Sequence, residues 1–206
     1  MNPRDRLARR SRARGFTILE LMMALAVTAI LAMLAVPSMR DYLRNSRLSS
    51  AGNDLLHSFA VARAEAVKRQ TNAVVCSSAS PTTAAPVCDG SPFSGWFVFA
   101  DTNNNGVFDA ADVIVERHGP IDPSVSVKQD GNGVQIFQPS GFARPATGGF
   151  VPSRNIVYCD ARGNVAIPGG NSTARAVVVS ATGRARVTRG IADINASLAT
   201  IGGGCP

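Results

Sequence analysis

The longest apolar run begins close to the N-terminus. Between Glu20 and Arg40 lie nineteen uncharged residues, Leu21 to Met39. At about 1.5 Å of rise per helical residue they extend roughly 30 Å, the depth of a bilayer's hydrocarbon core. The helical pattern then continues. From Asp41 to about Gln70 there is no proline, and Leu48, Leu55, Phe59, Ala62 and Ala66 recur at three- and four-residue spacing, with Arg44, Arg47, Arg63 and Lys68 elsewhere around the helix. One face of this second half packs on a domain; the other meets solvent or neighbouring subunits. Pro37 lies inside the run, where a missing N–H and a ring clash bend or locally open a helix.

After Gln70 the period shortens to that of strands. Candidate strands are Ala73–Cys76, Trp96–Ala100, Val113–Arg117, Ser124–Val127, Val134–Gln138, Ile156–Cys159, Arg175–Ser180 and Ala185–Thr188, divided by Gly, Pro, Asn and Ser clusters. Pro139 to Pro152, rich in Gly and Pro, reads as a loop and a surface-contact region. These elements predict an α+β chain, a long N-terminal α-helix with a transmembrane half and an amphipathic half, packed on one mostly antiparallel β-sheet. Residues 40–206 suffice for a single domain with its own core. No internal repeat marks a second.

Charge changes the picture mainly at the start. The formal net charge is +7, but residues 1–15 hold Arg4, Arg6, Arg9, Arg10, Arg12 and Arg14 against Asp5 alone, a share of +5 that leaves +2 for the other side chains. The basic pI is therefore weak evidence for nucleic-acid binding. Six arginines directly before an apolar span do orient it, keeping the N-terminus cytoplasmic and sending everything after Met39 outward. On that outer side lie Cys76, Cys88, Cys159 and Cys205, an even count suited to two disulfides in an oxidising compartment. Three pairings are open. The favoured one joins Cys76 with Cys88 across a local loop and Cys159 with Cys205, tying down the C-terminal tail. A zinc site is disfavoured, because no Cys-x-x-Cys pair exists and His57 and His118 lack matching spacing.

Glu20 is the anomaly, since a carboxylate at the edge of a membrane span is costly. An ordinary secretory signal peptide has the same basic and apolar regions but leaves Glu20 unexplained. The segment Gly15-Phe16-Thr17-Ile18-Leu19-Glu20-Leu21 resembles the class III signal sequence of type IV pilins and type II secretion pseudopilins. The resemblance implies that prepilin peptidase removes a leader, residues 1–15, by cutting after Gly15, that Phe16 becomes the N-methylated terminus, and that Glu20 guides assembly. Residues 16–39 are then the transmembrane and assembly helix, and residues 40–206 a periplasmic globular domain that includes the helix's second half. A glycine lets a peptidase approach the backbone closely, and a buried Glu20 carboxylate would seek the α-amino group of a neighbour's Phe16.

Three further constellations bear on chemistry. Asp101, Asn103, Asn105, Asp109 and Asp112 occupy positions 1, 3, 5, 9 and 12 of a calcium-loop-like stretch, with Gly106 at 6. Against calcium, position 12 is Asp instead of a bidentate Glu, and both flanks read as strands. A hairpin whose Asn and Asp side chains brace turns is the favoured reading, and no cofactor is expected. Next, Gly183-Arg184-Ala185-Arg186, with Arg189 following, places cations beside a flexible glycine, and in an extended strand Arg184 and Arg186 share a side. The chain here is similar to the GspH/FimT group of minor pilins and pseudopilins across about Leu55 to Thr188, and in FimT-like pilins a Gly-Arg-x-Arg motif contacts double-stranded DNA. The competing reading is a charged strand edge protected against aggregation. Lastly, no Gly-x-Ser-x-Gly, Walker loop or nucleophile–base pair points to an enzyme. The resemblance implies a minor pilin in a type IV pilus, at its tip or initiation complex, supporting assembly and DNA uptake. A GspH-like pseudopilin acting in type II secretion is the alternative. Either is made in the inner membrane with its C-terminal domain periplasmic, meets other major and minor pilins, prepilin peptidase and an assembly platform, and ends in an extracellular filament.

Overall fold

The computed structural model describes residues 15–145 and 151–206; residues 1–14 of the expected leader and residues 146–150 of the expected Pro139–Pro152 loop lie outside them. The chain divides into two units, one ending at Tyr42 and the other spanning Leu43–Pro206. Helix α1 (Ile18–Arg69) contributes to both, and its helical assignment is uninterrupted at Pro37. In the first unit the described side chains from Phe16 onward are exposed, Phe16 and Ile18 at 81% each. Eighteen consecutive residues there reach a mean hydropathy of 2.4, none of it covered by protein. So much bare apolar surface is unfavourable in water and points to lipid or neighbouring helices.

The second unit carries the domain. Its strands are β1 (Asn72–Ser77), β2 (Trp96–Asp101), β3 (Val113–His118), β4 (Ser126–Gln129), β5 (Val134–Phe137), β6 (Asn155–Cys159), β7 (Ala166–Ile167), β8 (Asn171–Val179) and β9 (Ala185–Gly190), followed by helix α2 (Ile191–Ile201). All pairings are antiparallel, but they form two sheets where one was expected. The first has the order β3-β2-β1-β5, and the second β4-β6-β8-β7 with β9 also on β8.

The amphipathic stripe of α1 explains how two sheets share one core. Leu48, Leu55, Phe59, Ala62 and Ala66 are buried against Val75, Trp96 and Val98 of the first sheet and Ile156, Tyr158, Val177 and Val179 of the second. Alternation along each strand then leaves a second apolar face needing cover. On the first sheet Phe97, Phe99 and Val74 are closed over by Phe108 and Cys88. On the second, Val157, Ala174 and Ala176 are closed over by Ile194 and Leu198 of α2. Helix α2 was not foreseen, although Ile191, Ile194, Leu198 and Ile201 are spaced for one helical face and Gly202, at φ 74°, ends it in a left-handed cap.

Cys76 is bonded to Cys88 and Cys159 to Cys205, with Cα separations of 5.6 and 5.7 Å. The first bridge holds the segment after β1 on the outer face of the first sheet. The second ties the tail beyond α2 to β6.

Candidate functional site

Three regions carry the residues singled out above. At the N-terminus Gly15 and Phe16 precede α1, and an added Cβ on Gly15 would meet nothing within 4 Å. Thr17 starts the helix, its Oγ1 accepting the Glu20 N–H at 3.2 Å while its carbonyl accepts the Leu21 N–H at 3.1 Å. Glu20 thus stands in the first turn, three residues after a capping threonine, where a carboxylate also complements the positive end of the helix dipole. The Thr-x-x-Glu spacing is the sequence signal of this local capping role.

The second region is the β8–β9 turn. Its residues Ser180 to Arg184 are closed by Gly183 N–H to Ser180 carbonyl at 2.9 Å and by Arg184 N–H to Ser180 Oγ at 3.2 Å. The turn is docked on residues 141–143, with the Ala143 N–H bonded to the Ala181 carbonyl at 3.1 Å. Gly183 is therefore not a flexible element beside the arginines. It is buried at φ 77°, and a Cβ there would collide with the Gly141 carbonyl oxygen, which also accepts Arg63 Nε at 2.9 Å.

The arginines separate once the turn is drawn. Arg184 is exposed, one residue before β9, and borders a groove of about 620 Å³ beside α1 that Arg63 and Lys68 also line. Its floor includes Leu56, Ala60 and Val67. Within β9, Val187 packs toward α1, whereas Arg186 reaches α2, its Nη1 3.5 Å from Asp193 Oδ2. Arg184 borders the groove beside α1, and Arg186 pairs with Asp193 of α2. Arg189 is exposed farther along β9. Arg175, on β8, is buried and donates to the carbonyls of Ser172, Thr173 and Ala174; burial, with Arg189 nearby, lowers its pKa. Asp193 went unnoticed in the sequence because nothing local links it to Arg186.

The Asp101–Asp112 stretch forms a turn network. Asp101 Oδ1 and Oδ2 accept the N–H groups of Asn105 and Gly106, Asp112 Oδ1 and Oδ2 accept those of Thr102 and Asp109, and Asp109 Oδ2 accepts both Asn103 and Asn105 side-chain amides. Burial raises the Asp101 pKa, with Asp112's charge adding to it against the opposing N–H donors. The loop also presents Phe108, whose ring lies edge-on to Phe97 and Phe99 at 5.3 Å from each. Its carboxylates thus brace the turn, and its aromatic residue closes a core. Among the described residues no three His, Cys, Asp or Glu side chains converge as a metal site.

The histidines also have structural settings. His57 is exposed on α1. His118 stacks on Trp96 with ring centroids 4.0 Å apart, and its Nε2 is 3.6 Å from Asp54. Trp96 Nε1 in turn donates to Ser58, which donates to Glu116, both at 2.8 Å. These bonds satisfy polar atoms where α1 meets the first sheet.

Comparison with known proteins gives two family matches. The model for type II transport protein GspH matches residues 51–183, and that for the prokaryotic N-terminal methylation motif matches residues 10–36. No curated protein matches the sequence. Solved structures similar to it include the type IV minor pilin FimU of Pseudomonas aeruginosa (strain PAO1). In one crystal form the identity is 16% and the TM-score 0.48, covering 71% of this chain and 92% of that one; in a second they are 17% and 0.46, covering 68% and 92%. The exposed apolar half of α1 and the methylation motif together fit a membrane-anchored subunit. With more than half of its length matched, the chain belongs to the GspH family of type II transport proteins, structural subunits of the minor pilin and pseudopilin class.

Proposed function

We propose that this subunit is built into a type IV pilus, at or near the tip where the filament is initiated, and that it binds DNA through the β8–β9 turn. Prepilin peptidase removes residues 1–15, Phe16 is methylated, and the helix waits in the inner membrane with the Leu43–Pro206 unit in the periplasm. Glu20 pairs with the α-amino group of a neighbouring subunit's Phe16 and registers the two helices as the assembly platform moves them into the filament. An unpaired carboxylate in lipid is unstable enough to make that pairing selective. The domain is then carried to the cell exterior as a binding surface.

The observation that carries the DNA reading is the exposed Arg184 on a turn held rigidly by Gly183. A fixed backbone reduces the entropy lost when a guanidinium engages phosphate. The test is DNA retention by the Leu43–Pro206 unit, whose cores and both disulfides lie within it. It is compared with an Arg184→Gln, Arg186→Gln variant at two salt concentrations. Weaker binding and a shallower salt dependence are expected of the variant; equal retention would sink the site.

The family's description favours a second reading, a pseudopilin of the type II secretion system. Deletion would then leave secreted proteins in the periplasm while twitching and transformation stay normal. The two readings predict opposite losses, so one deletion strain distinguishes them.

A further inference from the structure

We propose that Asp193 is an internal competitor for Arg186, its carboxylate standing where a DNA phosphate would otherwise be drawn and so limiting the turn's affinity. The inference rests on the DNA reading above and adds a residue that regulates it.

The arrangement is fixed from three directions. Asp193 Oδ2 lies 3.5 Å from Arg186 Nη1 and accepts a 2.6 Å hydrogen bond from Thr188 Oγ1, two residues farther along the same strand face. Asp193 is carried on the first turn of α2, which Ile194 and Leu198 anchor to the second sheet. It is therefore a positioned charge.

The pair is nevertheless easily exchanged. The two side chains keep 58% and 43% of their surface exposed, and ion pairs in such settings contribute little stability. A phosphate offers Arg186 two oxygens in a fork geometry and can displace a single carboxylate contact. The displaced carboxylate stays tethered to Thr188, so it repels the arriving phosphate across a distance well inside the screening length.

Binding of duplex DNA to the Leu43–Pro206 unit tests this, with Asp193→Asn measured in the native and the Arg186→Gln backgrounds. Asp193→Asn is expected to tighten binding about two- to fivefold at low salt and to steepen the salt slope by about one counterion. In the Arg186→Gln background the gain should disappear. Asp193→Glu should bind as the native protein does. Thr188→Val, which leaves α2 intact, should shift affinity in the same direction as Asp193→Asn. A gain that persists without Arg186 would show a general charge effect and overturn the proposal, as would unchanged or weaker binding by Asp193→Asn. Indifference of binding to both Arg184→Gln and Arg186→Gln would overturn the DNA reading itself, a separable result.

Discussion

Gly183 offers the sharpest test of how the turn is held. Replacing it with alanine imposes two penalties. At φ 77° an L side chain is strained by about 1–2 kcal/mol. The new Cβ would also collide with the Gly141 carbonyl oxygen, a backbone atom that cannot rotate away, so residues 141–143 must shift. That shift threatens the Ala143–Ala181 backbone bond and the Arg63 bond to Gly141, which contribute on the order of 1 kcal/mol each or somewhat more. The sum is roughly 2–5 kcal/mol, or about 5–15 °C in melting temperature for a domain of this size. Two other glycines separate the contributions. Gly170 has a similar φ, 72°, but open space around it, so Gly170→Ala should show the strain alone, about 1–2 kcal/mol. Gly203 has neither constraint, and Gly203→Ala should be neutral within about 0.5 kcal/mol. Thermal and urea unfolding of the three variants would give the series Gly183, Gly170, Gly203 in falling order. Equal losses at Gly183 and Gly170 would refute the argument that a close backbone approach demands glycine in the turn.

Three other outcomes are expected. Glu20→Ala should block incorporation into sheared filaments without preventing leader removal, read by immunoblot of filament and cell fractions; normal incorporation would remove the registration role. Calcium titration should leave the melting temperature of the Leu43–Pro206 unit unchanged, because the turn is braced by its own N–H groups and among the described residues no three acidic side chains converge there; binding at a hundred times Kd would instead add about 2.7 kcal/mol. For pH, burial pushes the Asp160 pKa up, but the 2.6 Å contact with Arg162 and its hydrogen bonds outweigh burial and hold it below the usual value. A depressed folded-state pKa stabilises above the unfolded value of about 4 and is lost as pH falls through the folded one. Asp160→Asn should therefore flatten the loss of stability below about pH 4, and an unchanged acid limb would count against this pair.

Local pattern carried much of the architecture. The candidate strands after Gln70 correspond to β1–β6, β8 and β9, with ends displaced by a few residues, because alternation and turn residues act over neighbouring positions. The two-residue β7 was too short to leave a period. Helix α2 was hidden for another reason: Gly190 caps it without a side-chain hydrogen bond, so its start lacked the usual signal. The division into two sheets was also out of reach, since strand partners depend on which segments meet after α1 collapses onto them. At the candidate site the same boundary applies. Thr17 and Glu20 interact within one helical turn and could be read in order, whereas Gly183 meets Gly141 and Arg186 meets Asp193 only after folding.

The amino-acid sequence by itself determined the anchor: a cleavage-like glycine, a carboxylate in the first helical turn and an apolar span long enough for a bilayer, all set by composition and spacing along one helix. It also determined the buried stripe of α1, since helical period alone places Leu48, Leu55 and Phe59 on one face. Only the tertiary structure decided that the calcium-like loop closes a core with Phe108, that Gly183 is held against a backbone carbonyl, and that the two arginines of one short motif have different neighbours. Periodicity reports which face a residue occupies; what stands opposite that face is chosen by packing between distant segments.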